Sequence, residues 1–432
     1  MKKTIILTAA VIAMISCAKV TPEAPVKDAE KTINTPVSFE AYNYAGQTKA
    51  ASNGLRFYLG GTFNVHSFYS ATTWEDLADV LPDDSKFIKG DGVAWRNASG
   101  EFTSAVWRTE NTYYWPKTGT LSFYAYYPSA VSSFVTVAKK SEGVKFTDYS
   151  VLETVAAQNA ATQIKTGDVV DANGKYPGTE GYTSTNGTID DLNDILVADL
   201  VTDKKANDNG TYYTKGVPML FRHKLAKVKL QAKQAKKPEQ GVVNGTFRII
   251  IDAISIDNIH LKGSYSSASS ATVWTTGDNL IAASSTDTHK NSGNFVADMT
   301  NDGKGENDAF DDTHALPLFY SEGTTENAYL NLGKEYYVLP QNIDDLSNLL
   351  VSYTVFALDN DNKILSSTKY ENVKVQLNTI TLANSNKINS WEINKFYTYK
   401  LLFSPYGEPI IFDPAVADWD KVTADPSTVY SK

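Results

Sequence analysis

Residues 115–128 read Trp-Pro-Lys-Thr-Gly-Thr-Leu-Ser-Phe-Tyr-Ala-Tyr-Tyr-Pro. Leu121, Phe123 and Ala125 alternate with Ser122, Tyr124 and Tyr126, and Pro and Gly punctuate both ends. A period of two turns successive side chains to opposite faces, which is strand geometry. The regularity favours core and sheet packing for these aromatics over a ligand-stacking platform. The rest of the chain has the same bias. Its 432 residues are 42 % hydrophobic and 12 % aromatic, and 25 Tyr stand against 4 Met, which suits half-buried sheets rather than a helical core. The expected fold is mainly β with a few short helices. The length allows about two to three domains.

Thr35–Tyr69 reads as strand, basic loop, strand. Val37, Phe39 and Ala41 alternate with Ser38, Glu40 and Tyr42, so one face can be buried. The loop carries Lys49 and Arg56, and a second aromatic strand follows over 57–69. Such a first strand can be a detachable part of the core, released by a cut in the loop.

Upstream, Met1–Ser16 has a basic start, an apolar run and a small last residue, the pattern of a signal peptide too short to span a bilayer. The one cysteine, Cys17, follows it, so an internal disulfide is excluded and lipidation is the expected use of that thiol. Residues 17–34 are polar and read as a flexible tether. Net charge is −9, which repels phosphate backbones and argues against nucleic-acid binding.

Downstream, Trp74–Leu81 shows helical spacing, and Thr188–Val201 is ambiguous between helix and strand. A polar linker at 202–216 places a domain boundary, giving an N-terminal domain over 35–216 and a C-terminal domain over 217–432. Within the second, strands are expected at 217–232, 247–261, 315–320, 335–340, 350–359, 364–374 and 396–403. Ser264–Thr286 is Ser- and Thr-rich and reads as a mobile loop around a short strand at 271–275. The acidic stretch 298–312 lacks the spacing of a twelve-residue calcium loop and reads as solvated surface. Ile410–Phe412 closes the fold, followed by Val416–Trp419 and a polar tail to Lys432; Ile410–Trp419 alternates in part, with Ile410, Phe412 and Val416 as its apolar positions.

Catalytic patterns are missing. The five histidines are scattered without metal-ligand spacing, and neither a GxSxG elbow nor a phosphate-binding glycine loop is present. No cofactor is expected, and a non-enzyme is the reading.

Several segments together resemble the fimbrillin-like families of Bacteroidetes surface lipoproteins, which include major and minor fimbrillins. They are VSFEAYNYAGQTKA (37–50), YYWPKTGTLSFYAYYP (113–128), DILVAD (194–199), FRHKLAKVKL (221–230), YYVLPQ (336–341), WEINKFYTYKLLF (391–403) and IIFDPAVADW (410–419). Met14-Ile15-Ser16-Cys17 resembles a bacterial lipobox, with Met where Leu is usual.

The resemblance implies two tandem transthyretin-like β-sandwich domains and export to the cell surface as an outer-membrane lipoprotein anchored through Cys17. For polymerising members it implies cleavage by an Arg- or Lys-specific protease, here at Lys49 or Arg56. That cut removes the first strand (Val37, Phe39, Ala41) and opens a groove. A strand from another pilus subunit then fills it by strand addition, with Ile410, Phe412 and Val416 as the candidate donor. The alternative role is a non-polymerising lipoprotein or tip adhesin that holds a glycan or host protein through loops such as 264–286.

Overall fold

The computed structural model describes residues 32–43, 55–56, 61–96, 106–151, 194–206, 216–234, 246–260, 262–277, 280–281, 307–310, 330–331, 336–378, 387–404 and 410–418. Cys17, Lys49, the strand expected at 315–320 and most of the acidic stretch 298–312 lie outside them. The described residues are mainly strand, with short 3-10 turns.

The first thirteen strands, in chain order, are β1 (Thr32–Pro36), β2 (Phe39–Asn43), β3 (Leu55–Arg56), β4 (Phe63–Ser70), β5 (Lys86–Arg96), β6 (Val106–Thr109), β7 (Tyr114–Pro116), β8 (Thr120–Tyr127), β9 (Val135–Thr136), β10 (Lys145–Ser150), β11 (Leu196–Ala198), β12 (Val201–Lys204) and β13 (Val217–His223). One large sheet runs β11-β13-β2-β6-β5-β4-β8, and β11 also bonds β8. That last pairing closes the sheet on itself, which removes open edges from most of its strands. Inside lies an aromatic core that includes Phe39, Phe63, Trp107, Phe123 and Phe221.

β8 explains the regular alternation seen in the sequence. Leu121, Phe123 and Ala125 face this inner core, while Tyr124 and Tyr126 point outward. The outward face is also covered, so every residue of β8 is buried. A second aromatic cluster provides the cover, with Phe146, Tyr149 and Trp274 meeting one another in edge-on and tilted contacts.

The later strands are β14 (Ala226–Gln234), β15 (Thr246–Asp257), β16 (Ile259–His260), β17 (Lys262–Ser266), β18 (Thr275–Thr276), β19 (Leu280–Ile281), β20 (Leu330–Asn331), β21 (Tyr336–Val338), β22 (Gln341–Asn342), β23 (Asn348–Leu358), β24 (Ile364–Gln376), β25 (Ser390–Trp391), β26 (Lys395–Phe403) and β27 (Ile411–Asp418). β20 and β21 flank β14, which pairs in parallel with β26, and β26 pairs with β27. A three-stranded sheet, β15-β23-β24, completes the third core with side chains such as Ile249, Val351, Tyr399 and Leu401.

Three local expectations change. The linker at 202–216 does not separate the strand that follows it. β13 is bonded in the first sheet, between β11 and β2, and the chain enters the later sheets at β14. Trp74–Leu81 yields only a 3-10 turn, Trp74–Asp76. Its end is held by Lys140, whose Nζ donates to the carbonyls of Trp74, Glu75 and Leu77 at 3.1–3.2 Å. The helical spacing there comes from Trp74 and Leu81 packing on the aromatic cluster. Ser264–Thr286 begins as sheet rather than as a mobile loop. β17 pairs with β10 and β18, and Trp274 is buried with its Nε1 donating to the Lys224 carbonyl at 2.8 Å. The ambiguous stretch before 201 contains strand β11.

Candidate strand-exchange site

β2 and the residues just before it are committed to the first core through alternate side chains. Val37, just before it, is 2 % exposed, Phe39 1 % and Ala41 6 %. Phe39 meets Phe63 and Phe123 edge-on, at centroid distances of 6.3 and 5.8 Å. Burying a phenylalanine of this kind contributes roughly 2–3 kcal/mol. The alternation that marked these three residues in the sequence is the alternation that buries them.

The backbone of the strand is held unevenly. On one side it runs parallel to β13 over five residue pairs, from Phe39 opposite Val217 to Asn43 opposite Phe221. On the other side it meets β6 through one pair, Phe39 and Trp107. Flanking bonds fix the register: the Val37 amide donates to the Tyr113 carbonyl and the Val217 amide to the Ser38 carbonyl, each at 2.8 Å. β1, ahead of it, pairs with β7.

Gly216 completes the seat. Its φ is +92°, and a Cβ there would stand 2.6–2.8 Å from backbone atoms of Phe39. Only glycine lets β13 begin with the first strand lying this close. The sequence reading overlooked Gly216. A glycine directly before the alternating apolar run Val217, Met219, Phe221 was the available signal.

The two candidate processing residues are placed differently. Arg56 lies in β3, with its backbone opposite Tyr42 of β2, so it belongs to a hairpin with the first strand. Lys49 lies in the segment joining the two, outside the described residues. The candidate donor residues sit at the other end of the chain. Ile410 packs against the third core. Phe412 is opposite Leu401 in the β26–β27 ladder, and Val416 is opposite Tyr397 and 44 % exposed. β27 is at the edge of its sheet, with β26 its partner among the described residues. Its far end is pinned by Lys395 Nζ to Asp418 Oδ1 at 2.6 Å.

Two polar features flank the seat. Asp194, ahead of β11, is buried and hydrogen-bonds His223 Nδ1 at the end of β13. His66 on β4 stacks on Tyr126, and burial together with Lys86 lowers its pKa from 6.5 to about 4. Among the described residues no cluster of His, Cys, Asp and Glu could hold a metal ion, and no helix is long and apolar enough to cross a membrane.

A fimbrial protein from Bacteroides vulgatus superposes with a TM-score of 0.52 at 14 % identity, covering 89 % of this chain and 100 % of that one. A fimbrilin from Porphyromonas gingivalis matches at 12 % identity over 89 % of this chain and 98 % of that one, with a TM-score of 0.35. No curated protein matches. The fimbrillin-like family matches over residues 83–419. The chain belongs to the fimbrillin-like family.

Proposed function

We propose that this chain is a pilus-type surface protein that assembles by strand exchange, with β1 and β2 as temporary occupants of a groove. The observation that carries this reading is the seat of Val37, Phe39 and Ala41. Three apolar side chains, one of them the Phe39 ring, fill an aromatic core, yet β6 touches the strand through one residue pair. Removing the strand leaves β13 with a free edge and the core open along one line. An extended segment can bond that edge and refill the core, which is strand addition. Membership of the fimbrillin-like family supports such an assembly at the cell surface.

Processing at Lys49 or Arg56 releases the strand. A cut after Arg56 frees the β2–β3 hairpin whole, and requires its pairing with residues downstream to open. A cut after Lys49 leaves β3 on the body. Export as a lipoprotein anchored through Cys17 would hold the precursor at the outer membrane, and either cut would also release the body from that anchor. Partners are then the processing protease, the membrane before processing and other subunits after it. The role is structural, not catalytic.

Limited digestion of the purified full chain with trypsin or an Arg-specific protease tests the reading. Electrophoresis without boiling should show a ladder of oligomers with a new N-terminus after Lys49 or Arg56. Clean cleavage that leaves monomers alone sinks it. Fatty-acid labelling of wild type and Cys17→Ala tests the anchor, and equal labelling of both refutes it.

A further inference from the structure

We propose that β24 is a blunted edge. Extra residues at Leu365 and Asn372, with Lys369 between them, keep a second copy from laying its own β24 alongside. This concerns side-by-side contact between copies and stands independently of strand exchange at the first core.

β24 has the make-up of a strand that pairs. It is thirteen residues long, reads Ile-Leu-Ser-Ser-Thr-Lys-Tyr-Glu-Asn-Val-Lys-Val-Gln, and contains neither proline nor glycine. All of it except Ile364, Tyr370, Val373 and Val375 is exposed. Its one sheet partner among the described residues is β23. Only its start is covered: the Ile364 amide donates to the Asp308 carbonyl at 2.8 Å, and the Ile364 carbonyl accepts from the Asn307 amide at 2.7 Å. Beyond that point a long exposed edge of this composition is a template for another strand.

The ladder with β23 is interrupted twice. Leu358 is opposite Ile364 and Ala357 opposite Ser366, so Leu365 is an extra residue. Tyr353 is opposite Tyr370 and Val351 opposite Val373, so Glu371 and Asn372 share Ser352. Asn372 has a φ of +51°, and its amide donates to Ser352 Oγ at 3.0 Å. On the other flank of β23 the extra residue is Asp252, again on the edge strand, β15. Asp252 and Asn372 are level with Ser352 and also bend the sheet there. Leu365 has no such counterpart.

An extra residue throws the outward amides and carbonyls out of step, so a straight strand can follow β24 only over Ser366–Tyr370. Within that run lies Lys369, whose side chain is 57 % exposed and reaches Glu371 at 2.9 Å. A neighbour laid alongside would strip water from this pair. The short run and the charge act together against pairing.

The test uses the uncut full chain carrying Cys17→Ala and Thr368→Cys, which puts the one thiol at the centre of the run. Antiparallel pairing of two copies about this position brings the thiols opposite each other, within disulfide reach. Deletion of Asn372, which restores the ladder, together with Lys369→Val, should raise disulfide-linked dimer about tenfold over the parent chain at equal concentration. Lys369→Val alone, an exposed change, should raise it about threefold, and it decides the matter if the deletion lowers the unfolding midpoint. No gain from Lys369→Val, a parent chain that already links, or a gain in mass by sedimentation without the link each overturns the proposal.

Discussion

A handful of residues decide how the first strand is held. Phe39→Ala removes a ring that is wedged between two others, and should cost about 3–5 kcal/mol of stability, read as a lowered urea midpoint. Val416→Ser, on the exposed end of β27, should change the stability by no more than about 0.5 kcal/mol. Gly216→Ala combines a left-handed backbone with a Cβ driven into Phe39, and should cost about 2–4 kcal/mol. Its hydrogen-exchange signature should be local, with faster exchange in β2 than in β23. Uniform acceleration across both strands would refute a specific role for Gly216 at the seat.

His66 gives a pH dependence with a definite sign. Burial beside Lys86 holds it neutral, with its pKa lowered from 6.5 to about 4. Between those values the unfolded chain binds more protons than the folded one, so stability rises with pH. The contribution is complete above about pH 6.5 and is lost as pH falls towards 4, at most about 3 kcal/mol in all. Carboxylates also titrate near the acid end, so the measurement is a comparison. His66→Phe should lose less stability than wild type between pH 7 and pH 4.5, and equal losses would refute the assignment.

At the scale of elements, the strands were legible where their alternation was regular and their environment simple. Val37, Phe39 and Ala41, the hairpin of β23 and β24, and β26 all follow from period two and turn residues. Three kinds of feature were not legible. Burial of β8 on both faces depends on which distant strands cover Tyr124 and Tyr126, and alternation within β8 carries no trace of that. The 3-10 turn at Trp74 has the spacing of a helix because residues gathered on one cluster mimic it. The Ser- and Thr-rich stretch after Lys262 has the composition of a loop, although its fold is decided by pairing with β10, more than a hundred residues away. The seat's side chains were therefore in the sequence, while its glycine and its uneven backbone support were not.

The same scale yields a test of the joint between cores. Trp274 stacks on Tyr265, meets Phe146 and Tyr149 at a tilt, and donates to the Lys224 carbonyl just past β13. Trp274→Ala should destabilise by about 3–5 kcal/mol. It should also separate the unfolding of the first sheet from that of the later ones, visible as two transitions where wild type shows one. A single transition at a lowered midpoint would show that the other aromatics hold the joint without it.

For the whole molecule, the path of the backbone through the sheets matters most. β13 walls the groove, and after Lys224 and Leu225 the same chain becomes β14, which pairs in parallel with β26 over eight residues. β26 in turn leads to β27. Were subunits joined by a strand added at β13 and supplied through β27, pull in a fibre would enter one subunit at β13 and leave it through β27. Parallel neighbours loaded from opposite ends slide rather than peel, so all eight pairs resist together. Single-molecule stretching of linked subunits should give a rupture force set by this shear. Weakening β14–β26 with Thr398→Pro should lower that force more than its effect on equilibrium stability predicts, and an effect no larger than the equilibrium loss would refute the shear path. A strand order that looks like a detail of topology is, on this account, what would let a non-covalent filament behave as a rope.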